Sequence, residues 1–208
     1  MKTKIWFAVI TAAFFTTTTI AQSKTSFGIR AGVNFQNLNG KDNDGDKLEN
    51  KLKTGFNIGA NAEIPVGIDF YVQPGLLFST KGAKYDVASV EVKRNLSYIE
   101  VPVYFLYKPE LGDGRMLLGF GPYAAFAVGG TIKGVNNNID IQFGNDIGEN
   151  KRFDAGANLL AGYEFKNKIS FQLNAGLGLV NMYNRPDNDS KTSLKNTGFG
   201  LSVGYRFQ

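Results

Sequence analysis

The chain ends with the stretch TGFGLSVGYRFQ, residues 197–208, in which two kinds of side chain alternate. One face of the stretch carries Thr197, Phe199, Leu201, Val203, Tyr205 and Phe207, and the other carries Gly198, Gly200, Ser202, Gly204 and Arg206. Alternation over about ten residues, closed by aromatic side chains, is typical of a β-strand that crosses an outer membrane. The stretch therefore predicts a strand whose apolar face meets lipid.

Seven further segments of the same alternating character precede this strand. They lie at about residues 25–36, 53–64, 69–79, 94–107, 115–128, 152–165 and 169–179. Short turns alternate with longer polar stretches at about residues 37–52, 80–93, 129–151 and 181–194. This arrangement predicts an all-β fold, an eight-stranded antiparallel up-and-down transmembrane β-barrel. In that topology the four long loops are extracellular, and the tight turns and both termini face the periplasm.

The aromatic residues give an independent indication of lipid outside the barrel. Beside the tight turns and termini lie Phe27, Phe70, Phe105, Tyr107, Tyr163, Phe165, Phe171, Tyr205 and Phe207. Beside the long loops lie Phe35, Phe56, Phe78, Phe126, Phe153 and Phe199. Two such girdles mark the two interfaces of a membrane barrel. A soluble lipocalin-type barrel is the alternative. Its apolar face would point inward around a ligand and its outer face would carry the charges. Here the apolar face is almost free of charge, and the other face is filled with Gly, Asn, Gln and ionised groups.

The N-terminus predicts export of the chain. Lys2 and Lys4 precede an apolar stretch at residues 5–15, and the small residues around Ala21 form a cleavage site. We expect residues 1–21 to be a cleaved signal peptide and residues 22–208 to be one barrel domain. The alternative is an N-terminal anchor helix. Such a helix needs about 20 apolar residues, and here the threonines from Thr16 end the apolar stretch too soon.

The composition excludes several classes of function. Of the 23 basic residues, 21 remain once Lys2 and Lys4 are removed, against 18 acidic residues, and this small excess does not indicate nucleic-acid binding. Histidine and cysteine are both absent. Lipid A deacylases, palmitoyltransferases and omptin-type proteases rely on histidine, and no spacing indicates a Ser–Lys or carboxylate mechanism. We therefore predict a protein that is not an enzyme and binds no cofactor.

The predicted inner face of the barrel collects eight ionisable side chains: Arg30, Glu63, Asp69, Glu100, Arg115, Asp154, Glu164 and Arg206. The interior of an eight-stranded barrel has room only for side chains, so these charges are expected to pair with one another or with trapped water. Arg30 and Glu100 lie on nearly opposite strands and are predicted to form a bridge. The functional alternative to this structural network is a proton or ion path, or a pair of catalytic carboxylates.

One loop resembles the start of a calcium-binding loop. Asp42, Asp44 and Asp46 match the first three ligand positions of an EF-hand, which also needs glycine at position 6 and glutamate at position 12. Here the glycine is Gly45 at position 4, and position 12 is Lys53. The mismatch favours a solvated loop without a metal.

Four stretches in the expected order resemble the PorT-type outer-membrane β-barrel family of small Bacteroidetes barrels. They are SYIEVPVY at 97–104, GPYAA at 121–125, DAGAN at 154–158 leading to GYEF at 162–165, and GYRF at 204–207. The resemblance covers essentially the whole region after the signal peptide and implies an integral protein of the bacterial outer membrane. The family takes its name from a member implicated in protein export within a gliding-type secretion system.

Two functions remain open at the level of sequence. The loops or the periplasmic rim dock proteins of an envelope or secretion assembly, or the barrel is a narrow conduit for ions or a small solute. A structural barrel without a specific partner is a third possibility. Outer-membrane lipid is an expected partner in each case, and a filled lumen favours docking.

Overall fold

The computed structural model describes residues 24–87, 90–134, 138–144, 146, 149–184 and 191–207. The predicted signal peptide, residues 1–21, lies outside these ranges. Within them, no helix is long and apolar enough to cross a membrane. The strands of the described residues are β1 (Ser26–Lys41), β2 (Lys53–Gly67), β3 (Phe70–Val87), β4 (Val90–Tyr107), β5 (Glu110–Leu111), β6 (Gly114–Lys133), β7 (Asn138–Asp140), β8 (Phe153–Glu164), β9 (Ile169–Gly178) and β10 (Ser193–Arg206).

Eight of these strands form a closed ring. Their order is β4-β3-β2-β1-β10-β9-β8-β6, and the pairing of β4 with β6 completes the circle. All of these pairs are antiparallel, and β1 and β10 join the two ends of the chain with Phe35 opposite Phe199. The ring confirms the predicted eight-stranded up-and-down barrel. The short strands β5 and β7 pair with the two ends of β6.

Alternation along each strand separates an apolar outer face from a polar interior. On β10, Leu201 is 56% exposed and Val203 is 49% exposed, whereas Ser202 between them is 4% exposed. Because side chains of a strand alternate between faces, one register places every apolar residue of a segment outside. An outer face of this kind is stable in lipid and is poorly suited to water.

The barrel has two distinct ends. The short connections lie at one end together with Ser26 at the start of β1 and Arg206 at the end of β10, and this end is called here the periplasmic end as predicted. The longer connections lie at the extracellular end. Aromatic rings pair at both levels, with Phe70 stacked on Tyr107 at 4.8 Å between centroids and Phe35 tilted against Phe199 at 5.3 Å. These contacts occupy the positions of the two predicted girdles.

The prediction of a loop at residues 80–93 is wrong. β3 and β4 continue as a paired ladder from Thr80 opposite Ser97 to Val87 opposite Val90. β6 also runs on to Lys133, where β7 pairs with it. We call this extension the projecting sheet; it consists of residues 80–87, 90–97, 129–133 and 138–140. Strand pairing outside a membrane does not require an apolar face, so the alternation signal ends before the ladder does.

The other long connections are shorter than predicted for the same reason. β1 runs to Lys41, five residues into the loop predicted at 37–52. β10 begins at Ser193, just before the end of the loop predicted at 181–194.

Apolar side chains fill the extracellular half of the interior. The buried cluster comprises Leu38, Ala83, Leu96, Tyr98, Tyr123, Ala125, Ala127, Ile141, Met182 and Leu194. Ile141 and Met182 come from the connections after β7 and β9, so parts of these connections fold over the barrel mouth. A second, smaller cluster lies deeper and comprises Tyr104, Leu106, Leu117 and Leu160.

Gly82 is required by the conformation of the projecting sheet. Its φ is +131°, and a Cβ at this position would overlap the backbone carbonyl of Arg94 on the paired strand. We expect Gly82→Ala to lower the free energy of opening of this hairpin by about 1–3 kcal/mol, measured by hydrogen exchange of the amides of β3 and β4. Gly129→Ala is the matched control, because a Cβ there meets nothing within 4 Å. Equal exchange in the two variants would contradict the requirement for glycine at position 82.

Candidate functional site

Two carboxylates and two cations form a closed network at the periplasmic end of the lumen. The Lys108 Nζ lies 2.8 Å from a Glu63 oxygen and 3.0 Å from a Glu164 oxygen. The Arg206 Nε lies 3.0 Å from Glu164, and its Nη2 pairs with Glu63. Gln73 donates a further hydrogen bond of 3.0 Å to Glu63. This periplasmic network is neutral, and each of its charged residues is at most 8% exposed.

The strand ends position the members of the periplasmic network. Glu164 and Arg206 are the last residues of β8 and β10, and Glu63 lies near the end of β2. Lys108 follows β4 directly, and its backbone N–H donates to the carbonyl of Asp69 at 2.7 Å. The sequence prediction missed Lys108. The feature of the sequence that indicates an inward Lys108 is the alternation of inward positions, which continues through Tyr104, Leu106 and Lys108.

Arg115 and Asp69 lie at the rim of the barrel, separate from the periplasmic network. The Arg115 guanidinium is 3.9 Å from Asp69, 3.4 Å from Glu110 and 3.1 Å from the Tyr71 hydroxyl. The Arg115 side chain is 35% exposed and that of Glu110 is 80% exposed. Exposed ion pairs of this kind contribute about 0–1 kcal/mol to stability.

A second network, called here the central network, lies inside the barrel at the level of the extracellular girdle and is centred on Lys81. The Lys81 Nζ lies 2.8 Å from Glu100 and 3.5 Å from Asp154. Asp154 also accepts hydrogen bonds from Tyr123 at 3.1 Å and from Asn196 at 2.8 Å. Asp154 is fully buried, and Lys81 and Glu100 are 5% and 7% exposed. This central network therefore holds one cation between two carboxylates inside the barrel wall.

The predicted bridge between Arg30 and Glu100 is not formed. Arg30 donates to the Asn174 side chain at 3.2 Å, and its guanidinium lies 5.8 Å from the centre of the Tyr104 ring. Glu100 pairs with Lys81 because Lys81 is on the adjacent strand and reaches it without crossing the lumen. Lys81 was missed because its segment was predicted to be a loop, although it shares the inward parity of Ser79.

Amide and hydroxyl side chains fill the remaining width of the lumen. The Asn57 side chain donates to Asn34 at 2.6 Å, Asn34 donates to Ser79 at 3.2 Å, and Asn174 donates to Ser202 at 3.1 Å. The cavity among these groups and the central network has a volume of about 60 Å³. That is room for only a few water molecules. The lumen is therefore filled with hydrogen-bonded side chains at this level.

The loop with the calcium-like spacing is organised by its own backbone. An Asp42 side-chain oxygen accepts hydrogen bonds from the amides of Asp44, Gly45 and Asp46 at 2.9–3.0 Å. Gly45 adopts a φ of +95° that this turn requires. Among the described residues, no group of three or more acidic, histidine or cysteine side chains is placed to hold a metal ion.

A closed ring of eight strands with an apolar outer face and a filled polar interior defines the class of integral outer-membrane β-barrel proteins. Residues 20–184 match the family described as outer membrane protein beta-barrel domain. The chain belongs to this family and is an outer-membrane barrel.

Several solved structures are similar to the chain at low sequence identity. Ail, the attachment invasion locus protein of Yersinia pestis, is 16% identical with a TM-score of 0.44, Neisserial surface protein A is 11% identical with 0.48, and a major outer membrane protein of Thermus thermophilus is 15% identical with 0.43. Each alignment covers 89% of this chain and 100% of the other. None of the curated proteins compared with the chain matches it significantly.

Proposed function

We propose that the chain is a non-enzymatic barrel that docks other proteins as an accessory component of an envelope or secretion assembly, with residues 1–21 as its export signal and residues 22–208 as its barrel. The observation that carries this proposal is the filled lumen. A barrel without a free interior acts through its rims and loops, since these are the surfaces that meet proteins.

Buried side chains close the path through the barrel at both ends. The periplasmic network spans one end, where Glu63, Lys108, Glu164 and Arg206 are all buried. The Asn and Ser side chains and the central network leave a cavity of about 60 Å³ between them. The apolar cluster that includes Ile141 and Met182 covers the extracellular mouth. These buried side chains favour docking over the alternative function, a narrow conduit for ions or a small solute.

The two rims differ in the kind of surface that they offer. The projecting sheet extends the wall on the side of β3, β4 and β6 beyond the extracellular girdle. The periplasmic rim carries exposed ion pairs, including Lys166 with Asp113 at 2.5 Å. Resemblance to the PorT-type family supports a role in secretion, and either rim is a candidate docking surface for that role.

We expect planar bilayers that contain the folded barrel to show no steady current. The physical reason is that ions would have to displace buried, hydrogen-bonded charges from both networks, and each removal of a buried ion pair is costly. Bilayers without protein and bilayers with a porin are the two controls. A steady, ion-selective conductance would contradict docking and establish the conduit.

Affinity capture from cross-linked native envelopes tests docking directly. One variant replaces residues 84–93 by Asn-Gly, which shortens the projecting sheet at the pair formed by Ala83 and Arg94. The matched variant changes Glu110, Asp113 and Lys166 at the periplasmic rim to alanine. We expect at least one protein captured by the full chain to be lost from one of the two variants. Identical captured sets from all three chains would contradict docking at either rim.

A further inference from the structure

Four lysines stand side by side across the projecting sheet. Lys84 is opposite Lys93 in the pairing of β3 with β4, and Lys93 is opposite Lys133 in the pairing of β4 with β6. Lys51 joins the other side of Lys84 through an isolated bridge. Directly opposed residues of antiparallel strands share a face, so these side chains form one row, the lysine row. Opposed like charges destabilise a sheet unless a counter-charge is near.

The protein supplies only part of that counter-charge. Asp86 lies 2.7 Å from Lys51, and Glu91 is shared between Lys84 at 3.6 Å and Lys93 at 3.3 Å. No salt bridge within the described residues involves Lys133. The side chains of the three paired lysines are 31–61% exposed. The lysine row is therefore an accessible cationic strip.

A β-bulge brings Lys133 into the row. Ser97 pairs with Gly129 and Tyr98 with Ala127, so Val128 is an extra residue in β6. Side chains of even number point outward on β6 up to this bulge, as Phe126 does, and the extra residue reverses the alternation beyond it. Without the bulge, Lys133 would point to the inner side of the sheet. The register thus places one lysine from each of β3, β4 and β6 on the same face.

The lysine row continues the lipid-facing surface of the barrel outward. Phe78, Ile99 and Phe126 are opposed in the same three strands and form an apolar row. Lys84 lies six residues beyond Phe78, about 20 Å along the strand at 3.3 Å per residue. The same face therefore passes from apolar to cationic as it leaves the membrane.

Small polar residues occupy the space between the two rows. The opposed sets are Thr80, Ser97 and Gly129, followed by Gly82, Asn95 and Thr131. The Asn95 side chain lies 3.4 Å from the Thr131 hydroxyl. Partly exposed hydroxyl and amide groups are suited to hydrogen bonding with the hydroxyls of a sugar. From the membrane outward, the face thus presents apolar side chains, then hydroxyl and amide groups, then ammonium groups.

We infer that this face binds the anionic saccharide headgroup of an outer-leaflet glycolipid. Its acyl chains lie against the apolar row, its sugars against the hydroxyl and amide groups, and its phosphates or carboxylates on the lysine row. A membrane lipid is the occupant because the strip is continuous with the lipid-facing wall of the barrel. The inference is independent of the proposed docking function, which rests on the filled lumen.

Titration calorimetry at low salt tests the inference. It measures the binding of a rough lipopolysaccharide with a phosphorylated core to the full folded chain in zwitterionic detergent. The triple variant Lys84→Gln, Lys93→Gln, Lys133→Gln is expected to bind roughly tenfold or more weakly, because each lysine near an anionic surface contributes substantially to attraction. Glu91→Gln removes a competing carboxylate and is expected to bind more tightly than the unmodified chain. The control Lys24→Gln, Lys166→Gln, Lys168→Gln removes the same charge at the periplasmic end and is expected to leave affinity unchanged.

Two further measurements separate the lipid from other anions and from loss of fold. Enzymatically dephosphorylated lipopolysaccharide is expected to bind the unmodified chain and the triple variant equally. Inorganic pyrophosphate that binds as tightly as the lipid would overturn the assignment to a glycolipid, as would a triple variant that binds like the unmodified chain. The heat-modifiable gel mobility of each variant reports its folding, and Glu91→Gln changes affinity in the opposite direction, which loss of fold does not produce.

Discussion

Replacing Glu63 by alanine is expected to lower the free energy of unfolding of the barrel by about 3–5 kcal/mol, because it removes one partner of a buried ion pair. Glu63 pairs with Lys108 at 2.8 Å and with Arg206, and it accepts a hydrogen bond from Gln73. In the variant, two buried cations share the single carboxylate of Glu164. Their repulsion and lost hydration outweigh the attraction that remains.

Urea titration of the refolded barrel in detergent, followed by far-ultraviolet circular dichroism and heat-modifiable gel mobility, measures this effect. The only tryptophan is Trp6, within the predicted signal peptide, so tryptophan fluorescence is not suitable. Glu110→Ala is the matched control, since Glu110 pairs with Arg115 at the exposed rim. Its expected effect is less than about 1 kcal/mol. Equal stability of the two variants would show that the periplasmic network does not stabilise the fold.

Replacing Lys81 by methionine is expected to destabilise the barrel by a similar amount, about 3–5 kcal/mol. The substitution keeps much of the side-chain volume but removes the cation that lies 2.8 Å from Glu100 and 3.5 Å from Asp154. Two buried carboxylates then remain without an ionic partner in the central network. Such an uncompensated pair is more costly than the intact triad.

A compensating variant separates charge from packing at this position. Adding Glu100→Gln and Asp154→Asn to Lys81→Met removes all three charges and is expected to recover most of the lost stability. Lys51→Met is the control, because its ion pair with Asp86 is exposed and is expected to contribute little to stability. If the triple variant is no more stable than Lys81→Met alone, packing and not charge explains the loss.

Sequence reasoning recovered the barrel because the lipid imposes a simple pattern. Each strand that crosses the membrane needs one apolar face, so Phe199, Leu201 and Val203 alternate with small or polar residues and predict both strand and orientation. The same parity placed Arg30, Glu63, Glu100, Asp154, Glu164 and Arg206 inward, where the structure buries them. The position of a residue along a strand and the face on which it lies are local properties, so the alternation within one segment predicts them.

Ion-pair partners were not predictable in the same way. Parity shows that Glu100 points inward but does not show that Lys81 reaches it before Arg30 does. The predicted loop at 80–93 also hid Lys81, because the residues around it do not alternate between apolar and polar types even though the strand continues. Lys108 lay in a predicted turn, although its parity continues that of Leu106.

The sequence by itself determined the eight alternating segments, the apolar outer face and most of the residues that point into the lumen, since each segment shows an alternation with a period of two on its own. Only the tertiary structure decided which charges meet, how far the wall extends beyond the membrane and which lysines share a row. These features depend on the relative register of different strands. Closure of the ring and one extra residue at Val128 set that register, and neither is visible within a single segment.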